Sequence, residues 1–436
     1  MELFIQISQF VLAISILVIL HEFGHFLPAR WFGIKVEKFF LFFDVKFALF
    51  KKKIGETVYG VGWLPLGGYV KIAGMIDESM DKEQMKKDPE PWEFRSKPAW
   101  QRLIVMVGGV TVNVLLAWLI YSTMLVVNGD TYIPANNLKY GIDVSEAGEG
   151  LGFKNGDQIL AIDGKLVKRF DKFLPMDVLL GDEVTVLRGD QEMTFPIKDS
   201  GKKLVLNAER GRFIAPAFAP KVGDIDEGSI AEKLGLQVGS EIISMNNKKV
   251  NFWSDVHSAI QDSKGGVLEI KYTLNGNFSH KFVHLPTNGT FGIFADTKGY
   301  SKTDEYGVFS SIPEGWNQTI GVLKNQIKQF KLIFNSEVQG YKNVKGPIGI
   351  VEMMEPTWDW TAFWSFTAMF SVWLAFVNIL PIPALDGGHV MFLLYEMISG
   401  KAPSEKTLER GQIIGFIIVM GLMLVIFGND IWNLFK

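Results

Sequence analysis

Five consecutive residues, His21-Glu22-Phe23-Gly24-His25, set two imidazoles four positions apart with a carboxylate between them. On a helix that spacing stacks both rings on one face, a single turn apart, where both can reach one zinc ion. Glu22, one residue on from His21, leaves that line and can take a proton from water at the metal without itself being a ligand. A catalytic zinc needs a third protein ligand and one open position. The run Asn378-Ile379-Leu380-Pro381-Ile382-Pro383-Ala384-Leu385-Asp386-Gly387-Gly388-His389 offers Asp386, with His389 as a rival. Asp386 ranks first because the Gly387-Gly388 turn carries His389 onward. The bland alternative is a pair of histidines marking a helix end, with Glu22 solvated beside them.

The elements that must position these groups are membrane helices. Hydrophobic residues make up 48% of the 436 residues, too many for an ordinary soluble enzyme of this size. Crossing the hydrocarbon takes about 20 residues, and four charge-free segments are long enough: Leu3 to Leu20, continuing apolar to Leu27; Leu103 to Val127; Trp360 to Leu385; and Gly411 to Gly428. The first lacks the basic start and small-residue cleavage site of a signal peptide. At about 1.5 Å per residue, His21 falls roughly 30 Å along the first span, near the far edge of the hydrocarbon. Ionisable groups there are costly unless they serve a site. Pro381 and Pro383 break the third span just before Asp386, and such a break is tolerated where protein or a water-lined cavity satisfies the freed backbone.

Arg30, Lys35, Lys38, Lys46 and Lys51 to Lys53 follow the first span, and Lys401, Lys406 and Arg410 precede the fourth. Both loops are therefore expected in the cytoplasm, with the termini and the long middle segment outside it. The first and third spans then both run inward, so His25 and Asp386 are expected at similar depth. With no cysteine in the chain, a metal must be held by His and carboxylates. The net charge of -3 gives no sign of nucleic acid binding.

Between the second and third spans, residues 151–164 align with 234–247 at a constant offset of 83, pairing Leu151 with Leu234, Gly156 with Gly239 and Ile159 with Ile242. Each copy reads as a glycine turn followed by a buried strand, a pattern that resembles the PDZ domain, which binds peptide ends by strand addition. Beyond the repeat, Trp316, Ile320, Leu323, Ile327, Phe330 and Phe334 recur at intervals of four and three, predicting an amphipathic helix on the membrane surface or on the neighbouring domain. The fold class expected is a polytopic α-helical membrane protein of four transmembrane helices, with two β-rich PDZ-like domains inserted between the second and third. The boundaries expected are 1–28 (first helix), 29–102 (membrane-associated segment with a β-hairpin), 103–128 (second helix) and 129–215 and 216–298 (PDZ-like domains). Residues 299–358 form the amphipathic helix and connector, 359–398 the third helix with its NILPIPALDGGH segment, and 399–436 a loop and the fourth helix.

HEFGH on a first membrane helix, tandem PDZ-like repeats and NxxPxPxLDGGH on a late helix together resemble the site-2 protease family of intramembrane zinc metalloproteases, and within it the bacterial RseP group. The likeness spans nearly the whole chain and includes Leu64-Pro65-Leu66-Gly67-Gly68-Tyr69-Val70-Lys71 and Gly346-Pro347-Ile348-Gly349-Ile350. It implies one Zn²⁺ held by His21, His25 and Asp386, Glu22 as general base, and Asn378 binding the substrate backbone or oxyanion. It further implies that Leu64 to Lys71 belong to a membrane-associated β-hairpin that takes substrate as an added strand. The substrates implied are single-span membrane proteins such as anti-sigma factors and remnant signal peptides, cut in the bacterial inner membrane, with periplasmic PDZ-like domains gating access. The chain departs from the family at Phe39 to Phe50, where a glycine-rich stretch is usual, and at Gly109-Val110-Thr111-Val112-Asn113, where G-P-x-x-N is common.

Two other classes compete. A metal transporter would string ionisable groups through the other spans, yet the second and fourth have none. A non-catalytic scaffold would use only the PDZ-like repeats, and would survive Glu22→Gln.

Overall fold

The computed structural model describes residues 1–65, 67–75, 88–208, 213–287 and 290–434. Leu66, one of the residues expected to hold substrate, lies outside them. The chain divides into two units, residues 1–128, 306–330 and 342–436, and residues 129–305 and 331–341.

In the first unit four helices are long and apolar enough to cross a membrane. The first, α1 (Glu2–Trp31), is rich in Ile, Val and Leu, and in lipid a helix is the way a single segment satisfies its own backbone. Gly33, at φ +66°, ends it: Gly33 N–H donates to Arg30 O and Ile34 N–H to Ala29 O, the paired bonds of a Schellman cap. A sheet of β1 (Val36–Leu41), β2 (Phe43–Ile54), β3 (Thr57–Leu64) and β4 (Tyr69–Ile72) follows, in the order β2-β3-β1-β4. β2 and β3 form an antiparallel hairpin, while β1 runs parallel to β3 and antiparallel to β4, pairing Phe39 with Val70 and Phe40 with Tyr69.

Of the run Leu64 to Lys71, Leu64 is the last residue of the β2–β3 hairpin, paired with Phe43. Leu64 ends β3 and Tyr69 to Lys71 belong to β4, which pairs with β1. Pro65 has no N–H to give a ladder, Gly67 sits at φ +149°, and a Cβ on Gly68 would stand 2.5 Å from Val18 of α1.

The second long helix, α2 (Ala99–Asn128), crosses α1 where glycines meet: a Cβ on Gly24 would lie 2.5 Å from Gly108 O and 2.8 Å from Gly109 Cα. Helix α3 (Val308–Ile333) carries the expected amphipathic stretch as far as Phe330. Its buried residues are Ser311, Gly315, Thr319, Val322 and Gln326, whereas Trp316 and Ile327 of the expected apolar face are exposed. Trp118 of α2 donates to Ile312 O, and Gln326 to Met369 O on the third span. From the apolar stripe, Trp316 packs edge to face on Trp118 of α2 and Phe330 on Phe376 of the third span.

After the short helix α4 (Pro347–Val351), the third long helix α5 (Trp360–Ile379) is capped by Asp359, whose carboxylate accepts from Thr361 N–H and Ala362 N–H. It ends before Pro381 rather than at Leu385, and α6 (Asp386–Ser399) begins a new direction, followed by the fourth long helix α7 (Glu405–Leu434).

The second unit holds two cores, one around Phe153, Val184 and Val186, the other around Ile242, Leu268 and Ile270. The sequence repeat is also a repeat of structure. Strands Gln158–Ile162 and Lys165–Leu166 recur as Glu241–Met245 and Lys248–Lys249, each the same distance on along the chain, and both sheets have the same strand order. A helix follows in each copy, Leu174–Leu180 and Trp253–Asp262.

Candidate metal centre

His21 and His25 project from one face of α1 with their rings edge to face, centroids 4.9 Å apart. Asp386, the first residue of α6, meets them. Its Oδ2 lies 3.3 Å from Nε2 of each histidine, and the two Nε2 atoms are themselves 3.3 Å apart. Zn–N and Zn–O distances of about 2.0–2.1 Å at a tetrahedral ion place neighbouring ligands roughly 3.3 Å apart. The three atoms therefore have the spacing of one face of a zinc tetrahedron. Oδ2 of Asp386 is buried and has no hydrogen-bond partner, an arrangement that costs free energy unless something else satisfies it. Two nitrogens and a charged oxygen, converging with one of them orphaned, fit a zinc ion.

The surroundings aim these atoms. Nδ1 of His25 lies 2.9 Å from Val105 O on α2, so it donates its proton there and turns the Nε2 lone pair inward. Nδ1 of His21 faces the Asn113 carboxamide at 3.2 Å. A Cβ on Gly109 would stand 2.6 Å from Cε1 and 2.8 Å from Nδ1 of His21, and would press on Nε2 of His25 as well. Beyond the break, Gly388 packs so closely on the loop that a Cβ there would lie 2.5 Å from Pro383 Cα. Ala384 is held at φ +82°, a strained conformation of the kind found at functional sites, two residues before Asp386.

Glu22 is not among the converging ligand atoms. It lines a cavity of about 490 Å³ together with His21, His25, Asp386 and Val70. Asn378, at the end of α5, places its Nδ2 3.3 Å from Nε2 of His21. His389 also faces the cavity but stands apart from the trio, with its Nε2 2.8 Å from Nε2 of Gln412 on α7.

Of the residues expected to hold substrate, Gly68, Tyr69, Val70 and Lys71 line this cavity, while Leu64, Pro65 and Gly67 do not. Phe43, Asp44 and Lys38 complete the same wall. The hydroxyl of Tyr69 donates to Asp44, inside the stretch that departs from the family pattern. Gly109 and Asn113 escaped the sequence reading as parts of the site. The available signal was a carboxamide in a charge-free span, where an uncompensated polar group is costly.

The model of peptidase family M50 matches residues 9–422 of this chain. The chain is 26% identical to the regulator of sigma-E protease RseP of Salmonella typhimurium, and 26% identical to that of Escherichia coli K12. Each alignment runs over 451 residues and covers 98% of both chains. A Rickettsia conorii protein named as a zinc metalloprotease is 29% identical over 439 residues, 99% of this chain and 100% of the relative.

Proposed function

Since the chain belongs to peptidase family M50 and is a zinc metalloprotease with four helices able to cross a membrane, we propose that it hydrolyses peptide bonds within the bilayer, with His21, His25 and Asp386 as the zinc ligands. The observation that carries this is the 3.3 Å triangle of ligand atoms drawn from α1 and α6. Bound there, zinc supplies a Lewis acid that polarises the scissile carbonyl and makes water nucleophilic near neutral pH. Glu22, beside the trio and in the same cavity, accepts the water proton and passes it to the leaving amine. The Asn378 amide, next to His21, donates to the oxygen on which charge develops.

The substrate proposed is a single-span membrane segment. A helix hides its carbonyls in its own hydrogen bonds, so it must unwind before it is cut. Among the described strands β4 pairs with β1 at the rim of the sheet, and Gly68 to Lys71 border the cavity. An unwound segment adding itself along β4 recovers the bonds it gave up. Segments with weak helix propensity are therefore the preferred substrates.

Likeness to the regulators of sigma-E protease supports anti-sigma factors as the substrate class, with remnant signal peptides beside them. The basic residues after α1 and before α7 support a bacterial inner membrane location with the metal centre near the cytoplasmic side. The two β-rich repeats are then periplasmic, PDZ-like and regulatory, admitting substrates whose outer domain has been trimmed.

Bound zinc and cleavage of a single-span substrate, measured on the purified protein, test this. Glu22→Gln is expected to keep zinc and lose about 10²–10⁴-fold in rate, whereas Asp386→Ala is expected to lose zinc as well. A Glu22→Gln enzyme that still cleaves at the parental rate would remove Glu22 from the chemistry.

A further inference from the structure

Asn113 is fully buried (relative exposure 0%) in the middle of α2. Its Nδ2 stands 3.2 Å from Nδ1 of His21, while its equally buried Oδ1 has no hydrogen-bond partner. The turn that carries it is pinned to α5 by Ser371 Oγ, which donates to Asn113 O at 2.8 Å.

An imidazole that gives its Nε2 lone pair to a cation carries its proton on Nδ1. That N–H then requires an acceptor. His25 has one in Val105 O. The group facing Nδ1 of His21 is the Asn113 carboxamide, whose nitrogen can only donate. Two donors would confront each other there while the acceptor of the same amide stays unpaired. Turning the carboxamide by half a rotation exchanges its oxygen and nitrogen, which X-ray density itself seldom distinguishes. One amide atom remains unpaired in either orientation, so the contact with His21 decides between them.

We propose that Asn113 is a positioning residue for the metal centre: its Oδ1 accepts the Nδ1 proton of His21, fixing the tautomer and ring plane that present Nε2 to zinc. This rests on His21 being a zinc ligand. Gly109, one turn earlier on α2, leaves the space in which the two rings can turn toward each other. The two histidines thus receive matched supports from one helix, a main-chain carbonyl for His25 and a side-chain carbonyl for His21.

The test is zinc affinity of the full-length protein in detergent, measured by competition with a chromophoric chelator, for the parent, Asn113→Asp and Asn113→Leu. Asp keeps an acceptor and is expected to hold zinc as the parent does. Leu removes the acceptor at similar volume and is expected to bind about 10–100-fold more weakly, with the melting temperature of the zinc-free protein unchanged. Should the Leu variant not fold, Asn113→Ala supplies the same contrast. A folded Leu or Ala variant that binds zinc like the parent overturns the proposal, as does an Asp variant weakened as much as Leu. Zinc binding that survives His21→Ala at parental strength would overturn the ligand assignment and this proposal together.

Discussion

Gly109 acts on the metal centre through the side chain it lacks. Any Cβ there would intrude on both imidazoles, and the surrounding backbone, where Gly24 meets Gly108, has no slack. Gly109→Ala is therefore expected to weaken zinc binding by more than about tenfold, comparable to losing an outer-shell contact, while the helices still assemble. Metal content and a melting curve check this together, and a variant with parental zinc affinity would show that the rings can retreat without cost. The proposed ligands were legible in the chain because their signals are local: His21 and His25 share a turn, and Asp386 sits at a proline break. Gly109 and Asn113 were not, since each serves a residue on another helix and no interval in the sequence relates them.

At the scale of elements, hydrophobic period located α3 but left open what its apolar face meets. Trp316, Ile320 and Ile327 define an apolar stripe whether the solvent is water or lipid, and only the neighbouring helices decide which face is covered. Proline was the better guide, marking the break that ends α5. One fastening had no local signature at all. Asp430, buried near the far end of α7, accepts from the backbone N–H groups of Gly346 (2.8 Å), Ile348 (3.0 Å) and Gly349 (3.4 Å) at the start of α4. Asp430→Ala leaves those amides without their charged acceptor, and a cost of about 3 kcal/mol is expected, the upper end for a charged hydrogen bond. Faster proteolysis around residues 346–351, with zinc retained, is the signature to look for. Equal proteolysis of parent and variant would mean that the segment is held by other contacts.

For the molecule as a whole, the two units have separate hydrophobic cores, so damage to one is expected to spare the other. Asp157 in the second unit is completely buried and accepts both Nε and Nη2 of Arg188 and the backbone N–H of Lys154. Asp157→Ala should destabilise that unit by about 3 kcal/mol, because Arg188 keeps some access to solvent. The zinc content of the membrane-helix unit should not change. Calorimetry resolving two transitions, only one of them shifted, would bear this out, and a joint shift would show that the units melt together. The repeat within this unit was readable because its two copies keep a constant offset through the paired strands, which leaves no insertion to disguise it.

The proposed metal centre joins residues on either side of the β-rich insert, His21 and His25 before it and Asp386 after it. During translation the imidazoles are made first, and their carboxylate partner leaves the ribosome only after the entire β-rich insert has been synthesised. On the proposed ligand set, a nascent chain stalled in between has two of the three ligands, which makes stable metal loading a late event of biosynthesis. The protease then stays inactive in the bilayer until nearly all of its sequence is in place.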